Sequence, residues 1–307
     1  MLRFAIKRLL TAIPTLFILI ALAFFLIRVA PGGPFDSERN LSPEIEANLN
    51  AAYHLDEPLW QQLGRYIANI LQGDFGPSFK YKDFSVTELI QTGFPVSLTL
   101  GALAMLLALI IGISAGTWAA LKQNTPVDYT VMSFSMTGIS IPNFVMAPLL
   151  ILIFAIYLGW LPSGQWNGGA LPHLVLPVIA LALPQIAYIA RLTRGSMIEV
   201  LRSPFIRTAR AKGLSQTQII FRHALKPAML PIVSYLGPAT AAIITGSVVI
   251  EKIFNVPGLG RFFVDGALNR DYTLVMGVVV FYGVLIVVFN FLVDLLYAVL
   301  DPRVRLA

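Results

Sequence analysis

Long apolar runs alternate with short polar connectors along this chain. Six stretches with at most one charged residue stand out: Leu9–Ile27, Val96–Leu121, Tyr129–Leu158, Leu171–Ala190, Ala228–Ile250 and Leu274–Leu300. Each has room for the roughly 20 residues that carry a helix across the hydrocarbon of a bilayer. Apolar positions run continuously or recur at helical spacing, without the alternation that marks a membrane barrel strand. The pattern predicts an all-α polytopic membrane protein with six transmembrane helices.

The connectors and breaks carry their own signals. The first long connector, residues 31–95, reads as short amphipathic helices lying on a membrane surface. Ser42-Pro43-Glu44 has the order N-cap, first-turn proline, first-turn acid. Leu59, Leu63, Tyr66, Ile67 and Ile70 fall on one helical face, and Gly73 is placed to end it. Within the spans, Gly112 and Gly116 form a G-x-x-x-G that lets two backbones approach closely, inside this chain or between copies. Pro142, Pro148, Pro177, Pro184, Pro231 and Pro238 interrupt hydrogen bonding in the third, fourth and fifth spans. Neighbouring helices or a water-lined cavity must satisfy the freed groups, which suits a pathway-forming protein. The first run follows Arg3, Lys7 and Arg8 as in a signal peptide, and Ala21-Leu22-Ala23 mimics a cleavage site. It continues apolar through Ile27, so an uncleaved first span is predicted.

Charge then orients the spans. With the N-terminus inside, the inner connectors hold 14 of the 22 basic residues, whereas residues 31–95 hold four basic and nine acidic ones. Lys and Arg collect on the cytoplasmic side, so both termini are expected there. The predicted organisation is a first helix over 1–30, an extracytoplasmic loop over 31–93, and a core over 94–300. Residues 191–227 of that core form its main cytoplasmic loop, and 301–307 a cytoplasmic tail. Composition agrees: 57% of residues are hydrophobic and 12% charged, against about 25% charged in a soluble domain. Mean hydropathy is +0.76. The net charge of +6 therefore reports topology rather than affinity for nucleic acid.

Candidate chemistry is sparse. The absence of cysteine excludes disulfides and thiolate metal sites. His54, His173 and His223 are far apart and form no metal-ligand set. No Gly precedes a Lys, so the chain has no P-loop for ATP. No nucleophile–base pair emerges, so no catalytic residue is assigned. Asp294 lies in the last span without a basic partner in the spans. A mid-bilayer charge costs about 2.5–3.5 kcal/mol on insertion scales, so Asp294 is expected to face protein, water or the interface.

The stretch SPFIRTARAKGLSQTQIIFRHALKP, residues 203–227, differs from everything around it. It has five basic residues and no acidic one. Ser203 reads as an N-cap, Pro204 as the first helical residue and Gly213 as the stop, giving a helix of about nine residues over 204–212. Ser215-Gln-Thr-Gln218 is a capping box that opens a second helix meeting Pro227. Phe205, Ile206 and Ala209 share one face of the short helix. So short a helix is marginal alone, so that face must pack on something. Either it snorkels at lipid headgroups or it docks on protein.

This stretch resembles the coupling loop of bacterial ABC importer permeases, whose pattern is EAA, three residues, Gly, nine residues, then I-x-L-P. Ala209, Gly213 and Leu225 match; Arg207 and Thr208 replace Glu and Ala, His223 replaces Ile, and the proline arrives one place late as Pro227. These departures resemble the peptide and nickel branch, with its F-I-x-T-A-R-A-K-G-L string. Further strings resemble that branch over essentially the whole chain: RLLTAIPTLFILI with Arg28–Pro34, GDFGPSFKYKD (73–83), IPNFVMAPLL (141–150), RGSMIEVL (194–201), EKIFNVPGLG (251–260), GALNRDY (266–272) and DPRVR (301–305). GPSFKYKD and WNGGALP look most like its oligopeptide members.

The resemblance implies a type I permease fold in the bacterial inner membrane. It implies a second homologous permease, two cytoplasmic ABC ATPase subunits and an extracytoplasmic peptide-binding protein as partners. ATP and magnesium would bind in the ATPases, and no cofactor in this chain. Phe205, Ile206, Thr208, Ala209, Arg210, Ala211, Lys212 and Gly213 would couple to an ATPase. Ser133, Thr137, Ser140 and Asn143 in the third span, with Ser234, Thr240 and Thr245 in the fifth, are candidates for a peptide pathway. Hydrogen bonding between helices is the alternative role for these hydroxyls. Glu251, Asn269, Arg270 and Asp271 are candidates for an outer gate. Dipeptides, glutathione or nickel are alternative substrates. An ion-coupled secondary transporter is the alternative class, which would usually show inverted repeats and intramembrane ion ligands, and neither is visible here.

Overall fold

The computed structural model describes residues 2–29, 56–81 and 83–300, and every regular element among them is helical. The Ser42-Pro43-Glu44 signal, Lys82 of the GDFGPSFKYKD string and the 301–307 tail with DPRVR lie outside the described residues. Helix α1 covers Leu2–Val29 and α2 covers Leu59–Leu71. Helix α3, Val86–Leu121, begins ten residues before the predicted apolar run. Its start is a capping box in which Ser85 and Glu88 exchange backbone and side-chain bonds. Helix α4, Pro126–Ser140, and α5, Asn143–Leu150, meet at an angle of 104° around Ile141-Pro142. Proline at Pro142 cannot continue α4, so the third predicted span is broken rather than straight. A π-helical stretch, Ile151–Tyr157, prolongs α5.

Helix α6, Leu171–Leu201, runs eleven residues past the predicted span and absorbs Pro177 and Pro184 internally. Two short segments, α7 and α8, follow and are described below. Helix α9 covers Leu230–Gly246, α10 Val248–Ile253, α11 Leu259–Leu268 and α12 Tyr272–Leu300. Pro231 stands in the first turn of α9, where no backbone donor is lost, so it does not interrupt that span as expected.

Bonds between distant residues fix the path of the chain. Arg8, early in α1, pairs with Asp294, late in α12 (Nε to Oδ2 3.1 Å), so α1 starts and α12 ends at one face. Asp294 therefore has the basic partner that the spans alone did not offer. Arg202, just past α6, donates to Gln123, just past α3 (3.0 Å), so those helices end together. At the opposite face, Asp271 before α12 accepts from Ser78, which precedes α3. Helix α6 has 31 residues and, at ~1.5 Å per residue, is long enough to reach from one face to the other. The α4–α5 stretch must then cross too, which makes the bent pair one span and the total among the described residues six.

The G-x-x-x-G works inside the chain. A Cβ on Gly116 would stand 2.3 Å from the Ala190 carbonyl oxygen, and one on Gly112 would stand 2.8 Å from Ile189. Helix α3 thus lies directly on α6, and close van der Waals packing rather than water exclusion holds the two together. Their interface, with Leu100, Ala104, Ala108, Leu181 and Ile189, is the centre of the core. Helix α2 keeps most of the predicted face: Leu63, Tyr66, Ile67 and Ile70 are half-buried, with Tyr66 at a cavity beside Arg28. Buried Gln62 joins them, and of the predicted set Leu59 is exposed.

Candidate functional site

The basic segment leaves the bundle directly beneath α6. Ser203 is extended, and Pro204 opens α7, Pro204–Ala211. The expected hydroxyl cap does not form. Ser203 Oγ is buried without a hydrogen-bond partner among the described residues, and its carbonyl alone engages the helix by accepting from Arg207 N at 3.3 Å. The other end follows the reading. Gly213 sits at φ +78, a left-handed conformation that a side chain would strain. Gly213 N donates to the Arg210 carbonyl and Leu214 N to the Ala209 carbonyl, the bond pair of a Schellman stop.

The second helix, α8, opens on the predicted capping box. Ser215 N donates to Gln218 Oε1 (3.0 Å), and Gln218 N to Ser215 Oγ (3.4 Å). It is α-helical over Gln216–Gln218, π-helical over Ile219–Ala224 and α-helical again over Leu225–Ala228. A π turn holds one residue more than an α turn. Pro227, one place late in the sequence pattern, falls beyond it in the closing α-helical stretch.

Helix α7 rests on a small core of its own. Ile206 and Ala209 are buried against Met197 of α6, Ile219, Ala224 and Ala228 of α8, and Ala120 of α3. Phe205 departs from the predicted apolar face: it lies at the edge of the arc and is 48% exposed. Thr208, Arg210, Ala211, Lys212 and Gly213 are exposed with it. The segment is an eight-residue helix with a fixed foot and a free, basic, aromatic outer face.

Arg194 of α6 and Arg202 just past it tie this foot to the turn that leads into α4. Arg194 grips Asp128 with both arms, Nε to Oδ1 and Nη2 to Oδ2, each at 2.6 Å. Asp128 is 1% exposed and also accepts from Asn124 N at 3.0 Å. Arg202 holds Gln123 in the same turn. Sequence reading missed this clamp. Both residues were visible as charges beside apolar runs, but nothing in their spacing of 66 positions pairs them.

The pathway candidates fall on two helices, α4 and α9, and at the bend after α4. Ser133, Thr137 and Ser140 are exposed on α4, and Asn143, half-buried, stands beside the bend. Thr137 donates to the Ser133 carbonyl and Ser140 to the Met136 carbonyl, within their own helix. On α9, Ser234 donates to the Leu230 carbonyl and Thr245 to the Ala241 carbonyl; Thr240 is half-buried. These four bonded hydroxyls are satisfied by the preceding turn and tie no second helix.

The gate candidates divide. Glu251 is fully buried in α10. Its carboxylate accepts from Ser97 of α3 (2.6 Å), from Ser247, and from the Arg261 amide (3.2 Å) in the first turn of α11. It caps α11 from a distance and knots three helices. Asp271 is also buried. It caps α12 through Leu274 N (3.0 Å) and holds Ser78 and Lys80 N of the preceding loop. Asn269 and Arg270 remain exposed, Arg270 at φ +56 in the Schellman stop of α11. Nearby Tyr81 stacks edge-on against Phe262, and burial, with the charges of Asp265 and Asp271, raises its phenol above the usual range.

Known proteins match the whole chain. The profile of the binding-protein-dependent transport system inner membrane component matches residues 108–306, and that of its N-terminal membrane component matches residues 1–101. The oligopeptide transport system permease protein OppB of Salmonella typhimurium is 61% identical over 99% of this chain and 100% of its own length. OppB of Haemophilus influenzae is 59% identical with the same coverage. The dipeptide transport system permease protein DppB of Bacillus subtilis is 47% identical over 100% of this chain and 99% of its own. A solved inward-facing MetNI methionine ABC transporter shares the fold, with TM-score 0.60 and 19% identity over 69% of this chain and 96% of that one.

Proposed function

Because the chain belongs to the family of binding-protein-dependent transport system inner-membrane components, we propose that it is the membrane-spanning permease of an ATP-driven ABC importer that moves oligopeptides across the bacterial inner membrane by alternating access. The observation that carries the mechanism is α7. A short helix with Ile206 and Ala209 fixed in the chain's own core, and Phe205, Arg210, Ala211 and Lys212 turned outward, is built to transmit force from a partner. In this reading the basic end of the bundle is cytoplasmic, following the distribution of Lys and Arg. Two ATPase subunits dock there, each receiving the coupling helix of one of two homologous permeases. ATP and magnesium bind in the ATPases. An extracytoplasmic binding protein delivers the peptide to the opposite end.

The hydroxyls of α4 and α9, of which Ser133, Thr137, Ser140 and Ser234 are exposed, suit a peptide pathway. Being satisfied within their helices, they offer weak second hydrogen bonds to any peptide backbone and discriminate little among side chains. At the outer end, Glu251 and Asp271 hold the helix starts while Asn269 and Arg270 face the mouth. Oligopeptides are preferred over dipeptides as substrate because the OppB relatives stand near 60% identity and DppB at 47%.

Membrane vesicles containing the assembled complex test this reading with labelled di-, tri- and pentapeptides and nickel. ATP-dependent pentapeptide uptake that requires the ATPases and the binding protein is expected. Uptake driven by a proton or sodium gradient without the ATPases would overturn it, and preferential nickel uptake would move the chain to another branch.

A further inference from the structure

We propose that the Asp128–Arg194 clamp is the positioning element that makes α4 move with α6, and so converts displacement of α7 into displacement of the pathway wall. The proposal rests on the coupling role of α7 given above. Three observations carry it. First, α6 leads into α7 through two residues, Arg202 and Ser203, whose amides still bond back to the Glu199 and Val200 carbonyls. The link is too tight for α7 to shift while α6 stays. Second, Arg194 holds buried Asp128 through two parallel bonds at 2.6 Å, and Asn124 N and Arg202–Gln123 fasten the same turn. A planar fork on a carboxylate resists both sliding and rotation, which a single-point contact does not. Third, the far end of α4 is also seated on α6, because a Cβ on Gly138 would stand 2.7 Å from the Leu183 carbonyl oxygen. Helix α4 is thus fixed to α6 near both ends, with Ser133, Thr137 and Ser140 on its open side.

Position makes the clamp more than a stability device. It lies at the turn between α3 and α4, at the end of the bundle where α7 is attached. The α4–α5 break at Ile141-Pro142 lies beyond it. Motion entering through α7 therefore reaches α4 as a rigid lever and is taken up at the break, where the backbone is already bent.

Reconstituted complexes of the full-length chain with its partners test this through the number of peptides imported per ATP hydrolysed. Asp128→Asn and Arg194→Lys each keep most of the local volume, and Arg194→Lys keeps the charge while losing the fork. With the clamp as lever, ATP hydrolysis stays within about two-fold of the parent while peptide per ATP falls about ten-fold in Asp128→Asn, and less in Arg194→Lys. Import and hydrolysis falling together in both variants, or an unchanged ratio, would overturn the proposal. A second measurement needs no change in the clamp. Exposed Tyr129 and Glu199 are each replaced by cysteine in this cysteine-free chain and spin-labelled. The label distance should change by less than about 2 Å between nucleotide-free and ATP-trapped states, and a change beyond about 5 Å would show that α4 and α6 part. Failure of the coupling reading itself would appear differently, as a parent complex without ATP-dependent import.

Discussion

Arg270 holds a left-handed backbone at φ +56, one place beyond the C-cap of α11, where glycine is the usual occupant. Its side chain is exposed, so the conformation is imposed by the two bonds of the helix stop rather than by side-chain packing. Arg270→Gly should therefore raise stability by about 1 kcal/mol, seen as a higher thermal unfolding midpoint of the detergent-solubilised protein. An unchanged or lower midpoint would mean that the arginine side chain holds the mouth in place. The neighbouring acid shows what residue types alone leave hidden. Asp271 was legible as a polar residue before the last span, but its cap was not. The apolar run begins at Leu274, and the helix begins at Tyr272. A carboxylate caps whichever amides start a helix, so a boundary error of two residues conceals the role. Glu251 was further out of reach, since its partners Ser97 and Arg261 come from other helices. Ser203 erred in the opposite direction: its type and place predicted a cap, yet its hydroxyl is buried and makes no bond to the first turn.

Element existence followed from hydropathy, and element length did not. Helices α3 and α6 outrun their apolar segments because a helix continues past the hydrocarbon for as long as its backbone bonds are satisfied. Glu88 and Thr92 at one end of α3, and Arg191 and Arg194 near the end of α6, stopped the apolar count without stopping the helix. The Ser85–Glu88 capping box was present in the sequence and marks the true start of α3. The broken third span was legible at Pro142, but its 104° angle depends on the packing of α4 against α6 on one side of the break. The packing of α3 on α6 likewise gives the G-x-x-x-G its meaning. Gly116→Val places branched carbons where a Cβ already stands 2.3 Å from the Ala190 carbonyl. It should cost about 2–3 kcal/mol, again read as a thermal midpoint. A variant that keeps the parent's stability but loses self-association would instead assign the motif to contact between copies.

At the scale of the whole molecule, the described residues form a six-crossing bundle whose two ends do different work. One end collects the acids and glycine-linked short helices that close α11 and α12. The other carries the bases, the Arg194–Asp128 and Arg8–Asp294 pairs, and α7. Charge distribution foretold this division well, because it is a property of whole connectors and survives errors in any one helix boundary. The tertiary ties were invisible, because each joins residues far apart in sequence. The central claim, that α7 is a coupling helix seated on an ATPase, is tested most directly by disulfide crosslinking. Exposed Ala211 is replaced by cysteine in the otherwise cysteine-free chain and combined with ATPase subunits carrying one groove cysteine. The account predicts an efficient crosslink whose yield changes with ATP. A thiol that remains accessible to soluble reagents yet forms no crosslink in any nucleotide state would contradict it.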